Sequence, residues 1–163
     1  MSEVRYKPIG IIHSPFEVPQ NVPIQAAAAK GIKGSVELDR EYVEGLKDLE
    51  GFSHIILICH FHRAKPYSLI VKPYLDENLR GLFSTRAPSR PNPIGLSVVR
   101  LTRVEKNILS IQDVDIIDGT PVLDIKPYIP RFDQRETMKI GWLENSINKM
   151  ASISDDGRFT TGK

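Results

Sequence analysis

The sequence predicts a mainly β fold, an antiparallel barrel or sandwich with one or two short helices. Short stretches rich in β-branched and apolar residues recur along the chain, whereas helical spacing of apolar residues is confined to two stretches. Phe52–His62 is apolar on both faces, which is typical of a central strand. The 163 residues are enough for a core without disulfides. We therefore expect one domain over residues 1–150 and a polar, frayed tail over residues 151–163.

The predicted strands are short and separated by turn residues. In chain order they are Tyr6–His13, Lys33–Leu38, Phe52–His62, Gly81–Ser84, Ile94–Val104, Asn107–Ile117 and Val122–Ile125. The apolar parity of the sixth strand changes between Ile111 and Val114, which predicts a β-bulge there. Long proline-rich connections lie between the strands, and such loops are the expected carriers of function.

Two helices are predicted from apolar spacing. The first has Asp39 as its N-cap and Gly51 just after its end, and it carries Leu38, Tyr42, Leu46 and Leu49 on one face. The second spans Gly141–Met150, with apolar residues at Leu143 and Ile147.

Composition limits the possible partners and compartment. The net charge of +2 and the isoelectric point of about 8.7 permit an anionic partner without requiring one. The single cysteine, Cys59, excludes an intrachain disulfide and suits a reducing compartment. No stretch is long enough for a membrane span, and the N-terminus lacks a signal-peptide pattern. We therefore expect a cytoplasmic protein without a membrane partner.

The stretch FSTRAPSRPNPIGLS, residues 83–97, predicts a stiff basic loop. Its prolines at 88, 91 and 93 each fix one backbone torsion and lack an N–H donor. Such a frame would hold Arg86 and Arg90 ready for a carboxylate, a phosphate or a stacked ring. The alternative is an ordinary surface loop with solvated arginines, and the residues alone favour neither interpretation.

A second polar cluster lies in DGTPVLDIKPYIP, residues 118–130. In an extended strand, Asp124, Lys126 and Tyr128 share one face. A carboxylate, an amine and a phenol on one face can form an acid–base or ligand-orienting set. The residues alone favour a simpler interpretation, a surface Asp–Lys pair with the tyrosine covering the core.

Other site chemistries are disfavoured. His54, His60 and His62 share strand parity, but Cys59 points to the other face and no acidic residue is close in sequence, so we predict no metal site. Cys59 itself is expected to be buried and unreactive. The sequence lacks the Rossmann, P-loop, zinc-protease and serine-hydrolase fingerprints. A nucleotide-like cofactor would therefore be bound by a different fold.

Four segments together resemble the TsaA-like family, also called the TrmO family. They are YKPIGIIHSPF, LEGFSHIILICHFHR, GLFSTRAPSRPNPIGLSVVRL and DVDIIDGTPVLDIKPYIP, in this order between Tyr6 and Pro130. The resemblance implies a small closed or partly open antiparallel β-barrel that uses S-adenosylmethionine without a Rossmann fold. It also implies a homodimer with the cofactor near the interface. The bacterial type methylates N6 of threonylcarbamoyladenosine at position 37 of tRNA, next to the anticodon.

The resemblance also implies site residues. The cofactor contacts would be Pro23, Ile24, Gln25, His62, Arg63, Arg86, Leu96, Asp124, Ile125, Lys126 and Pro127. The roles of the catalytic set are our own hypothesis from the chemistry of methyl transfer: Asp124 orients or accepts the N6 proton, Lys126 stabilises charge and Tyr128 holds the substrate. Ile24 stands where the family often has arginine. Arg90 and Arg100 are the expected contacts for tRNA phosphates.

Two other functions remain open at this stage. One is an S-adenosylmethionine-binding protein of the same fold that acts on another acceptor. The other is a non-catalytic module that binds the cofactor or RNA.

Overall fold

The computed structural model describes residues 3–20 and 22–160, and within them six strands close an antiparallel barrel. The described strands are β1 Gly10–His13, β2 Lys33–Leu38, β3 His54–His60, β4 Ile70–Val71, β5 Arg80–Gly81, β6 Ile94–Glu105, β7 Ile108–Gln112 and β8 Pro121–Pro127. The order around the barrel is β1-β2-β7-β6-β3-β8, and β8 pairs with β1. The strands β4 and β5 form a separate pair. The predicted barrel is confirmed.

The barrel core is formed by the inward-facing residues of each strand. On β3 these are Ile55, Leu57 and Cys59, all fully buried. The intervening residues His54, Ile56, Ile58 and His60 face outward, as the strand parity predicts. β3 pairs with β6 on one side and β8 on the other, and its outward-facing Ile56 and Ile58 are half-buried.

The prediction of an α-helix after Asp39 is wrong. The segment instead forms 3-10 helices over Arg40–Leu46 and Leu49–Gly51. Asp48 lies between them with a left-handed φ of 65°, which interrupts a continuous helix. Gly45 and the β-branched Val43 also weaken helix formation. The apolar residues of this segment still contribute to the core, because Leu46 is buried and Tyr42 and Leu49 pack against the barrel core.

The second predicted helix is also replaced by 3-10 turns, at Gly141–Leu143 and Ile147–Ser152. Gly141 begins the segment with a φ of 63°, a left-handed torsion that an α-helix does not use. Among the described residues, the one α-helix is Pro130–Asp133, a single turn that the sequence pattern did not predict.

Several predicted strand boundaries shift. β1 begins at Gly10 rather than Tyr6, and the predicted strand Gly81–Ser84 is a 3-10 turn from Leu82 onward. The predicted bulge after Ile111 is wrong, because β7 ends at Gln112 and the next residue turns with a φ of 67°. That turn at Asp113 changes which residues face inward, so that the side chain of Val114 is again buried in the core.

A smaller apolar cluster lies outside the barrel. It joins Val71, Leu82, Ala87 and Phe159, with Tyr74 packed against them. Because Phe159 and Thr160 are buried, the predicted frayed tail is wrong for residues 152–160, and residues 161–163 lie outside the described residues. None of the described helices has the length and apolar character needed to cross a membrane.

Candidate functional site

A cavity of about 1150 Å³ lies against the outside of the barrel, where the long loops meet the start of β6. Its wall is formed by the loops around Pro23, His62 and Arg86 and by residues 94–98. Seven predicted cofactor residues line this one space: Pro23, Ile24, Gln25, His62, Arg63, Arg86 and Leu96. Seven of the eleven residues predicted to contact the cofactor, although far apart in sequence, are therefore brought together around one space.

A hydrogen bond joins the proline loop to the first loop. Arg86 Nη1 donates to Gln25 Oε1 at 2.8 Å. The bond holds the guanidinium at the cavity wall, where its remaining donors can meet an anionic or carbonyl group. Nearby, Arg63 Nη1 donates to the carbonyl oxygen of Glu17 at 2.6 Å, which fixes the side chain that follows His62.

Asp115 lines the same cavity, although it was not among the site residues predicted from the sequence. Its Oδ1 accepts a hydrogen bond from Ser97 Oγ at 2.6 Å, and the backbone N–H of Ala26 also donates to the carboxylate. Burial raises the pKa of Asp115 to about 6, and these two donors together with Arg86 limit that rise. In the sequence it stands between Val114 and Ile116, where a strand pattern assigns it to an unremarkable outer face.

Phe61 forms an apolar part of the wall and was also missed. Its ring lies over Gly95, where an added Cβ would be 2.2 Å from the ring Cζ atom. A glycine is therefore required for this close approach between the ring and β6.

The following residue, His62, has its pKa lowered by burial and by the neighbouring Arg63 and His60, so its ring is neutral at physiological pH.

Arg90 contacts the backbone of its own loop. Its Nη1 faces the carbonyl oxygens of Leu82, Thr85 and Ala87, at 3.4, 3.0 and 3.4 Å. Its guanidinium also lies 5.6 Å from the centre of the Phe83 ring. Arg90 Nη1 therefore braces its own loop, and the predicted contact of Arg90 with a tRNA phosphate stays a prediction.

The predicted catalytic set lies on the outer face of the barrel. Lys126 Nζ is 2.7 Å from Asp124 Oδ2, and both side chains are about half exposed. The Tyr128 ring packs edge-on against His54, with 6.4 Å between ring centres. Asp124 and Lys126 are thus paired with each other, whereas Tyr128 packs against His54, which lines the cavity.

The strand register shows how far the predicted catalytic residues lie from the cavity. Asp124 is opposite Ile58, which is in turn opposite Leu96, so the three side chains share the outer face. Two strand spacings separate Asp124 from Leu96 by about 10 Å. Within the described residues, however, the lining of the main cavity does not include Asp124, Ile125, Lys126 or Pro127. Asp124 and Ile125 instead line a second cavity of about 320 Å³ beside Tyr42.

The histidines and the cysteine do not form a cluster. Within residues 3–20 and 22–160, no group of three or more His, Cys, Asp or Glu side chains is arranged to hold a metal ion. Cys59 is buried as predicted, and burial raises its pKa to about 12, so its thiol stays protonated.

The family model of the tRNA-methyltransferase O N-terminal domain matches residues 11–134. The chain belongs to the TrmO family. The match runs from Ile11 in β1 to beyond the end of β8 and includes every residue predicted to contact the cofactor, from Pro23 to Pro127. The resemblance based on the four sequence segments is therefore confirmed.

Individual TrmO relatives agree with this assignment. A Pyrococcus abyssi protein named a probable S-adenosyl-L-methionine-binding protein is 64% identical over 94% of this chain and 84% of its own length. The Escherichia coli tRNA (adenine(37)-N6)-methyltransferase is 38% identical over 80% of this chain, and the match spans 60% of that enzyme. The crystal structure of TrmO from Pseudomonas aeruginosa has a TM-score of 0.74 at 41% identity. That likeness covers 86% of this chain and 62% of the crystallised chain.

Proposed function

We propose that this protein is an S-adenosylmethionine-dependent methyltransferase that methylates N6 of threonylcarbamoyladenosine at position 37 of tRNA. The observation that carries the proposal is the convergence of the Pro23–Gln25, His62–Arg63, Arg86 and Leu96 positions on one cavity. The name of the E. coli relative and the description of the matching family model support the reaction class. The reducing compartment suited to Cys59 is consistent with cytoplasmic tRNA as the partner.

The donor set of the cavity fits the cofactor. Arg86 and the amide of Gln25 suit its carboxylate or the polar edge of its base, while the carboxylate of Asp115 suits a cationic or hydroxyl group. Phe61 offers an apolar surface for the flat base. The volume of about 1150 Å³ is slightly above the usual range of about 300–1,000 Å³ for ligand sites, which leaves room for part of an acceptor nucleoside.

The chemistry requires positioning and removal of one proton. The cofactor, when bound, supplies an activated methyl group for an in-line displacement. A bond forms between N6 and the methyl carbon as the carbon–sulfur bond breaks, and the N6 proton leaves. We assign Asp124 as the acceptor of that proton, with the ammonium of Lys126 at 2.7 Å stabilising the developing charge. Tyr128, placed against His54, would hold the substrate beside this pair.

A homodimer would complete this site. The outer face shared by β6, β3 and β8 exposes apolar side chains, with Ile94 at 43% and Leu96 at 59% exposure. Asp124 and Lys126 lie on the same face but outside the main cavity of their own chain. We propose that a second copy covers this face and brings its own Asp124 and Lys126 towards the cofactor cavity of its partner.

A second candidate function is binding of the same cofactor for use on a different acceptor. The P. abyssi relative, which matches most of this chain, is named for cofactor binding and not for a tRNA reaction. The same cavity residues would serve either function, so the acceptor is the point that an experiment must decide.

The deciding experiment measures methylation directly. The protein is incubated with S-adenosylmethionine and tRNA that carries unmethylated threonylcarbamoyladenosine, and the digested nucleosides are then identified by mass. We expect one added methyl group on that nucleoside. Arg86→Ala should weaken cofactor binding by about 10- to 100-fold, because a charge-assisted contact is lost. Arg103→Ala is the matched control, because Arg103 is exposed and pairs with Glu105.

The two candidate functions give different results in this experiment. Cofactor binding without a methylated nucleoside would contradict the tRNA reaction and favour another acceptor. Absence of cofactor binding in the unsubstituted protein would contradict both.

A further inference from the structure

The C-terminal segment 153–160, which we name the clamp, follows the part of the chain matched by the family model. It reaches the first cofactor loop through the backbone. The N–H of Asp155 donates to the carbonyl oxygen of Val22 at 2.8 Å, and Ser154 forms a β-bridge with Pro23. The clamp therefore holds the start of the Pro23–Gln25 loop.

The clamp also holds the loop that carries His62 and Arg63. Thr160 forms a β-bridge with Ala64, and the N–H of Lys65 donates to the carbonyl oxygen of Phe159 at 3.1 Å. The Lys65 ammonium donates to the carbonyl oxygen of Gly157 at 2.9 Å. These contacts begin immediately after Arg63, so they fix the end of that loop.

The proline loop is held by the same segment. Ser89 Oγ donates to the carbonyl oxygen of Phe159 at 2.6 Å, and the Phe159 ring packs with Leu82 and Ala87 in the small apolar cluster. Ala87 directly follows Arg86 in the chain. The buried Phe159 side chain thus supports the backbone next to Arg86, whose guanidinium faces the cavity.

Tyr74 connects the clamp to the opposite side of the cluster. Its ring meets Phe159 edge-on with 5.2 Å between centres, and its hydroxyl donates to Asp155 Oδ1 at 2.5 Å. The Arg158 guanidinium lies 5.0 Å from the centre of the same ring, and its Nη1 donates to the carbonyl oxygen of Pro73 at 3.2 Å. The clamp is therefore fixed by packing as well as by hydrogen bonds.

From these contacts we propose that the clamp pre-organises the cofactor cavity and sets its affinity for S-adenosylmethionine, with Phe159 as the central positioning residue. The proposal rests on the proposed function for the identity of the ligand. The physical reason is that the cofactor loops have few strand pairings of their own, so ordering them costs conformational entropy. A clamp that orders them before binding removes that cost from the binding step.

The test compares Phe159→Ala with Phe52→Ala, a matched substitution at a phenylalanine that is 36% exposed and outside the small apolar cluster. Calorimetric titration with S-adenosylmethionine should give at least a tenfold higher Kd for Phe159→Ala and an unchanged Kd for Phe52→Ala. In methyl transfer, the KM for the cofactor should rise while kcat at saturating cofactor stays within about twofold. A general folding defect would lower kcat as well.

A second measurement tests the clamp without any ligand. Amide hydrogen exchange of the unliganded protein should be faster in Phe159→Ala at Ala28, Ala64 and Thr85, whose N–H groups are bonded within the three loops. Exchange in β3 should be unchanged. This readout separates the two proposals, because it needs no cofactor, whereas failure of the unsubstituted protein to bind S-adenosylmethionine contradicts the proposed function.

Tyr74→Phe keeps the ring and removes the hydrogen bond to Asp155, so it tests the clamp even if Phe159→Ala does not fold. We expect a smaller rise in Kd, about three- to tenfold. Wild-type affinity and wild-type loop exchange in both variants would overturn the clamp proposal.

Discussion

The barrel and the cofactor cavity are held together in different ways. In the barrel, β3 pairs along its whole length with β6 on one side and β8 on the other, and its inward residues are fully buried. Around the cavity, single side-chain contacts join irregular loops, as in the bonds from Arg86 to Gln25 and from Ser89 to Phe159. Substitutions in the barrel should therefore mainly lower the free energy of unfolding, whereas substitutions around the cavity should mainly change ligand affinity.

The largest effect on stability is expected from Leu57→Ala in the barrel. Leu57 is fully buried on β3, and loss of its side chain leaves a cavity in a packed core. We expect the free energy of unfolding to fall by about 2–5 kcal/mol. Urea denaturation measures the loss, and cofactor titration on the folded protein should give the wild-type Kd. A strongly raised Kd would show that the two regions are coupled.

Asp115 gives the next largest effect, through pH. Its folded-state pKa of about 6 lies above the ordinary value of 3.8, so the folded protein binds this proton more tightly than the unfolded chain. This contribution to stability is complete below about pH 4 and is lost as the pH rises through about 6, by roughly 2–3 kcal/mol.

Asp115→Asn should remove this pH dependence and also weaken cofactor binding. The measurement is thermal or urea unfolding of both proteins between pH 3.5 and about 8, the window set by the two pKa values. Identical pH profiles for the two proteins would show that Asp115 does not titrate in this range.

Gly95→Ala tests the boundary between the two regions, because Gly95 belongs to β6 while the Phe61 ring belongs to the cavity wall. An added Cβ at 2.2 Å from the ring forces Phe61 to move. We expect a stability loss of about 1–3 kcal/mol together with a raised cofactor Kd. Gly81→Ala, where an added Cβ meets no atom within 4 Å, is the matched control. A stability loss without any change in Kd would place Phe61 outside the binding surface.

The smallest effect on stability is expected from Asp124→Asn. The pair with Lys126 is about half exposed, and such surface ion pairs contribute about 0–1 kcal/mol. Turnover, in contrast, should fall by about 100-fold or more if Asp124 accepts the proton, while the cofactor Kd stays unchanged. Single-turnover methylation measures this step. Wild-type turnover would contradict the proton-acceptor role.

The contrast between the regular barrel and the irregular cavity loops also explains which features could be predicted from the sequence. The apolar runs of β3 and β6 identify strands because burial on the core leaves a local pattern of residue types. The helix expected after Asp39 fails because apolar spacing does not distinguish an α-helix from 3-10 turns interrupted at Asp48.

Around the cavity, the loop positions followed from the family motif, but their partners did not. Asp115 is recognisable only through Ser97 and Ala26, which are distant in sequence. The clamp has a polar composition that is typical of a frayed end, and only its contacts with Ala64 and Ser89 reveal it as part of the wall. The bonds from Arg90 to its own loop were not predictable either, because a guanidinium in a basic loop can bond its own backbone as readily as a phosphate.

Closure of the barrel also limits how this protein can associate. Because β8 pairs back to β1, the six described strands close on one another, and none of them is the last strand of an open sheet. A strand from another chain could join only a short stretch, such as the part of β6 before Arg100, where the pairing with β7 has not yet begun. We therefore expect recognition of a protein partner at the barrel to depend mainly on side-chain shape and charge, which change from residue to residue, and less on generic main-chain pairing.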